Sequence, residues 1–202
     1  MVAPVHKKIE KKLARIKRGN LFFLSDFRGL GTDAAIRKAL SRLCNKKRIK
    51  RVAHGIYLMP EMDPLLGEVL PSMEYIAQSI AKKEHIRIKP AGAHALHKLG
   101  LSTQVPMRLV YLTDGPLRQI KIGRAAIKFK PTTPKKLSLQ GEISSLIIQA
   151  LEELGTKNLE ESTIQRIKEL LQKEDPNKLY ADIKLAPSRI SDFLFLLLNK
   201  PE

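Results

Sequence analysis

The sequence has no tryptophan and one cysteine among its 202 residues. Cys44 alone can form neither an internal disulfide nor a cysteine-rich zinc site, and such sparing use suits a cytoplasmic protein. Aromatic residues make up 5% of the chain, too few to offer successive stacking platforms to single-stranded nucleic acid. No apolar run approaches the roughly 20 residues that cross a bilayer; the strongest, Leu21–Leu24 and Phe193–Leu198, are short. No apolar stretch or small-residue cleavage site follows the basic N-terminus, so no secretory signal is expected. Residues 5–18 are basic but lack the Trp and Phe that membrane-surface helices favour, so no membrane partner is expected.

Catalytic signatures are also missing. The chain has no phosphate-cradling Gly-rich loop and no nucleophile elbow. Glu152-Glu153 and Glu160-Glu161 are adjacent pairs on helices and point to different sides. No enzymatic activity and no cofactor are expected. His94 and His97 stand three apart on one helix, but without a well-placed third ligand they read as packing residues, and no metal is expected. Thr113-Asp114-Gly115-Pro116 reads as a plain turn.

Acids are scarcest in the first sixty residues. Glu10, Asp26 and Asp33 stand there against sixteen Lys and Arg, so this segment carries thirteen of the formal +17. The remaining residues have a surplus of only four positive charges. Such a block repels itself unless a polyanion receives it, and the abundant cellular polyanion is nucleic acid.

Val5, Ile9, Leu13 and Ile16 fall on one stripe and predict a helix over Val5–Lys17. Leu21–Leu24 is a short strand or buried connector, and Ser25 caps a helical turn. Thr32 is a good N-cap for a second helix through Lys46, with Ile36, Ala39, Leu40 and Leu43 buried. Ile49–Ala53 and Ile56–Met59 predict a hairpin turning at His54-Gly55. Helix, strand, short helix, basic-faced helix and hairpin is the order of a winged helix-turn-helix. Residues 1–60 are therefore expected to form a DNA-binding domain, with double-stranded operator DNA as its partner. Its candidate contacts are Thr32, Arg37, Lys38, Ser41, Arg42 and Lys46 on the second helix, and Lys50, Arg51 and His54 on the wing.

Pro60 and Pro64 mark residues 61–71 as a linker. The pattern over 72–202 changes to α+β, so the fold class is α+β throughout. Helices are predicted at Ser72–Lys83, Ala93–Leu99, Glu142–Leu154, Glu161–Lys173 and Ile190–Leu198. Strands are predicted at Ile86–Ile88, Leu109–Thr113, Leu117–Ile122 and Ala125–Phe129. The last helix is apolar almost all round, which means burial in its own domain or docking on a partner. Lys98 and Arg118, with Lys121, Arg124, Lys128 and Lys130, form a thinner basic stripe on the sheet.

Three stretches carry a family likeness. They are Phe22-x-x-Ser25-Asp26-Phe27 through Leu40-Ser41-Arg42-Leu43 to Gly55-Ile56-Tyr57-x-x-Pro60; Pro90-Ala91-Gly92 through Gly100-Leu101-Ser102-Thr103-Gln104-Val105-Pro106; and Val110-Tyr111-Leu112-Thr113-Asp114-Gly115. Over about residues 10 to 155 the chain resembles the AbiEi-like antitoxins and transcriptional regulators of type IV toxin–antitoxin systems. The resemblance implies a winged-helix repressor of its own operon. It also implies a C-terminal antitoxin domain whose functional partner is a nucleotidyltransferase-like toxin, with or without a stable complex. It makes the second basic stripe the candidate antitoxin surface. The family often has Gly where Lys47 stands, a residue that supplies a left-handed helix cap at little cost. Two other readings compete: an RNA-binding or ribosome-associated accessory protein, and a toxin-docking module using the Phe193–Leu198 helix. The oligomeric state is left open.

Overall fold

Helix α1 (Val5–Leu13) buries Ile9 and Leu13 against helix α2 (Asp33–Asn45), whose Ile36, Ala39, Leu40 and Leu43 face inward. In the computed structural model, which describes residues 4–65 and 67–199, α1 stops short of the expected Lys17. The N–H groups of Arg15 and Ile16 turn to the carbonyls of Lys12 and Leu13, tightening the last turn, and Gly19 then donates to Met59. Residues 1–3 and 200–202, at the ends of the two expected domains, and Leu66, in the expected linker, lie outside the described residues.

Strand β1 (Leu21–Phe23) leads into a single 3₁₀ turn, Leu24–Phe27. After α2 come β2 (Lys50–Ala53) and β3 (Ile56–Leu58), and the antiparallel sheet has the order β1-β3-β2. The central position of β3 accounts for its burial at all three residues. Phe22 stacks on Tyr57 with ring centroids 5.6 Å apart and meets Phe27 edge-on at 5.8 Å. These rings weld the sheet to the two helices, since aromatic pairs add to the apolar area they bury.

The segment expected as a linker, 61–71, is instead structured. Strands β4 (Glu61–Asp63) and β5 (Gly67–Val69) pair antiparallel. Pro64 marks a turn in which Asp63 Oδ1 accepts from the Leu65 N–H at 2.8 Å. The chain divides into two compact units, Met1–Ser79 and Ile80–Glu202, so the division falls within helix α3 (Met73–Glu84). That is later than the expected boundary.

The second unit holds strands β6 (Ile88–Ala91), β7 (Arg108–Thr113), β8 (Arg118–Ile122) and β9 (Ala125–Pro131), with helix α4 (Ala93–Lys98) between β6 and β7. Their order is β6-β7-β9-β8, with β7 and β9 parallel and the other pairs antiparallel. β6 begins two residues later than predicted, because the Arg87 N–H and guanidinium are held by Asp114 at 2.8 Å each. Pro90 is tolerated in β6 because that strand is an edge.

Five helices follow: α5 (Pro134–Leu137), α6 (Glu142–Leu154), α7 (Glu161–Leu171), α8 (Pro176–Leu185) and α9 (Ser188–Asn199). Ile147, Ile148 and Leu151 of α6 join Ile167, Ile183, Ile190 and Leu194 in one core. Most of the apolar surface of α9 is thus used inside its own unit; Leu196 remains 67% exposed. The N-terminus of α6 has no capping side chain of its own. Instead Asp182 accepts from the N–H groups of Gln140 and Gly141, and Glu174 from those of Ile143 and Ser144. A Cβ at Gly141 would collide with Ser144 Oγ and the Glu174 carboxylate, so glycine is required there.

Among the described residues, no helix is long and apolar enough to cross a membrane.

Candidate nucleic-acid interface

The apolar stripe of α2 faces α1, and this fixes what its other side presents. Arg37, Lys38, Ser41, Arg42, Asn45 and Lys46 are all exposed. Thr32 sits at the start as N-cap, its Oγ1 accepting from the Ala35 N–H at 3.3 Å. Arg37, Lys38, Arg42 and Lys46 have no ion pair or hydrogen-bonding partner from their side chains among the described residues. Four uncompensated cations thus lie within ten residues of one another on one helix.

The end of α2 sets where the β2–β3 hairpin begins. Lys47 adopts φ +56°. Its N–H donates to Cys44 and that of Arg48 to Leu43, at 2.9 and 3.0 Å. This pair of bonds is the Schellman arrangement, which normally recruits glycine. A left-handed L-residue costs roughly 1–2 kcal/mol, so Lys47 holds the turn at some expense.

β2 and β3 then rise beside α2. A cleft of 430 Å³ separates helix from hairpin, lined by Arg37, Ser41, Asn45, Arg51, His54 and Tyr57 among others. Arg51 Nη2 lies 3.0 Å from His54 Nδ1. Guanidinium can only donate, so His54 Nδ1 accepts and Nε2 carries the ring proton, facing outward as a donor. Burial pushes the Tyr57 hydroxyl and the Cys44 thiol above their ordinary values, with Arg51 opposing in both cases. Both stay neutral beside the cations.

Two basic residues are already occupied. Lys50 pairs with Glu68 at 2.6 Å, and Arg48 with Glu10 at 2.8 Å. The structure therefore brings together Arg37, Ser41, Arg51 and His54 at one cleft, with Lys38, Arg42 and Lys46 beside it on the exposed side of α2, while Lys50 turns to β5. Sequence reading missed Asn45, which lies one turn beyond Ser41 on the same stripe. Its spacing was the available signal.

Residues 8–179 match a family described as being of unknown function, DUF6088. The chain belongs to the DUF6088 family. None of the curated proteins compared with it matches. The DUF6088 match begins within α1 and takes in α2, the β2–β3 hairpin and the whole four-stranded sheet.

In this DUF6088 chain the second basic group does not form a single stripe. Arg118 is bidentate to Glu84 at 2.7 and 2.9 Å and lies over the Phe129 ring at 5.3 Å. Lys128 pairs in register with Gln119, one position along, and so faces the opposite side of the sheet together with Lys121. Arg124 stands in the β8–β9 turn, and Lys98 is exposed on α4. Of the six expected stripe residues, Lys121, Lys128 and Lys130 share one face of the sheet. His94 is buried against Tyr111, ring centroids 5.1 Å apart. No group of three or more His, Cys, Asp or Glu is placed to hold a metal among the described residues.

Proposed function

We propose that the first unit is a winged helix-turn-helix that binds duplex DNA, and that the protein is a cytoplasmic, non-enzymatic transcriptional regulator repressing its own operon. The observation carrying this reading is the unpaired cation face of α2 beside the Arg51–His54 hairpin tip. A helix about 10–12 Å across fits a major groove about 12 Å wide. In that pose Arg37, Ser41, Arg42 and Asn45 meet base edges, Lys38 and Lys46 meet phosphates, and Arg51 with His54 Nε2 reaches the neighbouring backbone. The buried stripe of α2 supports the pose, since it fixes which side of the helix is presented.

The resemblance to AbiEi-like regulators supports a further role as the antitoxin of a type IV pair, with a nucleotidyltransferase-like toxin as functional partner. Lys121 and Lys128 are its best-placed surface candidates. A gel-shift with the DNA upstream of the gene tests the regulator reading. The expected result is retention of that duplex at protein concentrations that leave a scrambled duplex of equal length unshifted. Equal retention of both would overturn it. Co-expression with the product of an adjacent nucleotidyltransferase-like gene tests the antitoxin role, with restored growth expected and unrelieved arrest contradicting it.

A further inference from the structure

In the second unit, cations with no partner stand beside buried polar atoms with no partner. Register places Val110 opposite Lys128, Leu112 opposite Lys130 and Arg108 opposite Ala126, so all share one face of the sheet. Over that face lies a cleft of 520 Å³, closed on its other side by Gln149, Glu152 and Glu153 of α6. Its volume is within the roughly 300–1,000 Å³ of small-ligand sites. Ala91, Val110, Leu112 and Pro131 give it an apolar floor.

Arg108, Lys128 and Lys130 have no ion pair or hydrogen bond from their side chains among the described residues, although Glu152 and Glu153 line the same cleft. Lys136 is different: its ammonium holds Glu152 Oε2 at 2.5 Å. The other oxygen of that carboxylate, Oε1, is buried with no partner. One turn earlier on α6, Gln149 is 3% exposed and its Nε2 is likewise buried with no partner. Leaving such a group unmet is costly, and native proteins seldom leave two together.

We propose that this cleft binds a nucleoside phosphate, free or at the end of a strand. Its phosphate meets Arg108, Lys128 and Lys130. Its base lies on the Val110–Leu112 floor, with a ring N–H or amino group donating to Glu152 Oε1 and a ring acceptor taking the Gln149 amide. The two glutamates disfavour a bare polyanion and favour a ligand that is anionic at one end and neutral and polar at the other. This site is independent of the DNA-binding reading, which concerns the other unit.

Calorimetric titration of the full chain with AMP, GMP, CMP, UMP and inorganic phosphate, without DNA, tests the assignment. At least one mononucleotide is expected to bind saturably, about tenfold or more tighter than inorganic phosphate. The exposed change Lys130→Gln should weaken that nucleotide and phosphate alike. Gln149→Leu should weaken the nucleotide while leaving phosphate unchanged, at an unaltered melting temperature for the Lys130 variant. A 5′-phosphorylated dinucleotide binding at least as well as the mononucleotide would identify a strand end as the source; weaker binding would identify the free nucleotide. No saturable mononucleotide binding, phosphate binding equally tightly, or affinity unchanged in Lys130→Gln would overturn the proposal.

Discussion

Lys50 Nζ lies 2.6 Å from Glu68 Oε2, so the first cation of the β2–β3 hairpin is already neutralised by an acid from the β4–β5 hairpin. Both side chains are about one-third exposed or more, and such surface pairs contribute roughly 0–1 kcal/mol to stability. If the first unit binds DNA as proposed, the pair affects duplex affinity more than folding. Glu68→Gln should release Lys50, tighten duplex binding a few-fold, and steepen the salt dependence by about one phosphate contact. Lys50→Ala in the natural background should do little. Fluorescence anisotropy titrations at several salt concentrations check both.

The exposed side of α2 gives a sharper expectation. Arg42→Ala or Arg37→Ala should cost about 1–3 kcal/mol in operator affinity and relax preference at one base position, if the guanidinium reads a base. Lys38→Ala should weaken all duplexes alike, as a phosphate contact does. Because none of these side chains has an intramolecular partner, thermal stability should stay unchanged, which a melting curve would show.

Lys47 keeps a left-handed conformation that glycine adopts freely. Lys47→Gly should raise stability by about 1 kcal/mol, because the turn is kept and the steric cost removed. Lys47→Ala retains that cost and should give no comparable gain. Urea denaturation of both variants separates the conformational effect from the loss of one charge.

Acid sensitivity should centre on the α6 cap. Burial tends to raise the Glu174 carboxyl, but the N–H groups of Ser144 and Ile143 outweigh it and hold the group below its ordinary value. With the folded value below the unfolded one, ionised Glu174 stabilises the fold above the ordinary carboxylate range of about 4–4.5. That contribution is lost as pH falls through the depressed folded value. Asp114, held low by hydrogen bonds from Arg87, adds to the same acid limb. Glu174→Gln should lower stability at neutral pH and flatten its decline in acid. Denaturation curves between neutral pH and about pH 3 give the comparison.

Much of the first unit was legible because its signals were local. Thr32 as N-cap, the Ile36–Leu43 stripe and the His54-Gly55 turn each depend on a few neighbouring residues, and α2 falls within a residue of its expected span. The long-range features were not legible. Glu68 reaches Lys50 across eighteen positions, and its strand lay in what two prolines made resemble a linker. Helix α8 was missed although Asp175-Pro176 is a sound start signal. A buried Asp182 interrupts its apolar stripe, and its role emerges only when Gly141 and Ser144 arrive beside it. The basic stripe expected on the sheet failed for a related reason. The β8–β9 register sets Arg118 opposite Phe129 and Lys128 opposite Gln119, so alternation sends Arg118 and Lys128 to opposite faces. Lys128 and Lys130 were legible as alternate residues of one strand, but Arg108, Gln149 and Glu152 carry no spacing signal that joins them, because sheet and helix supply them from distant segments.

The most direct test of the central claim is the salt dependence of binding to the upstream duplex. If Lys38, Lys46 and Arg51 each neutralise one phosphate, log K should fall against log salt with a slope of about −3. Replacing Lys38 and Lys46 together by Ala should reduce that slope by about two contacts. A slope near zero, or an affinity no greater than that for scrambled duplex, would contradict the account.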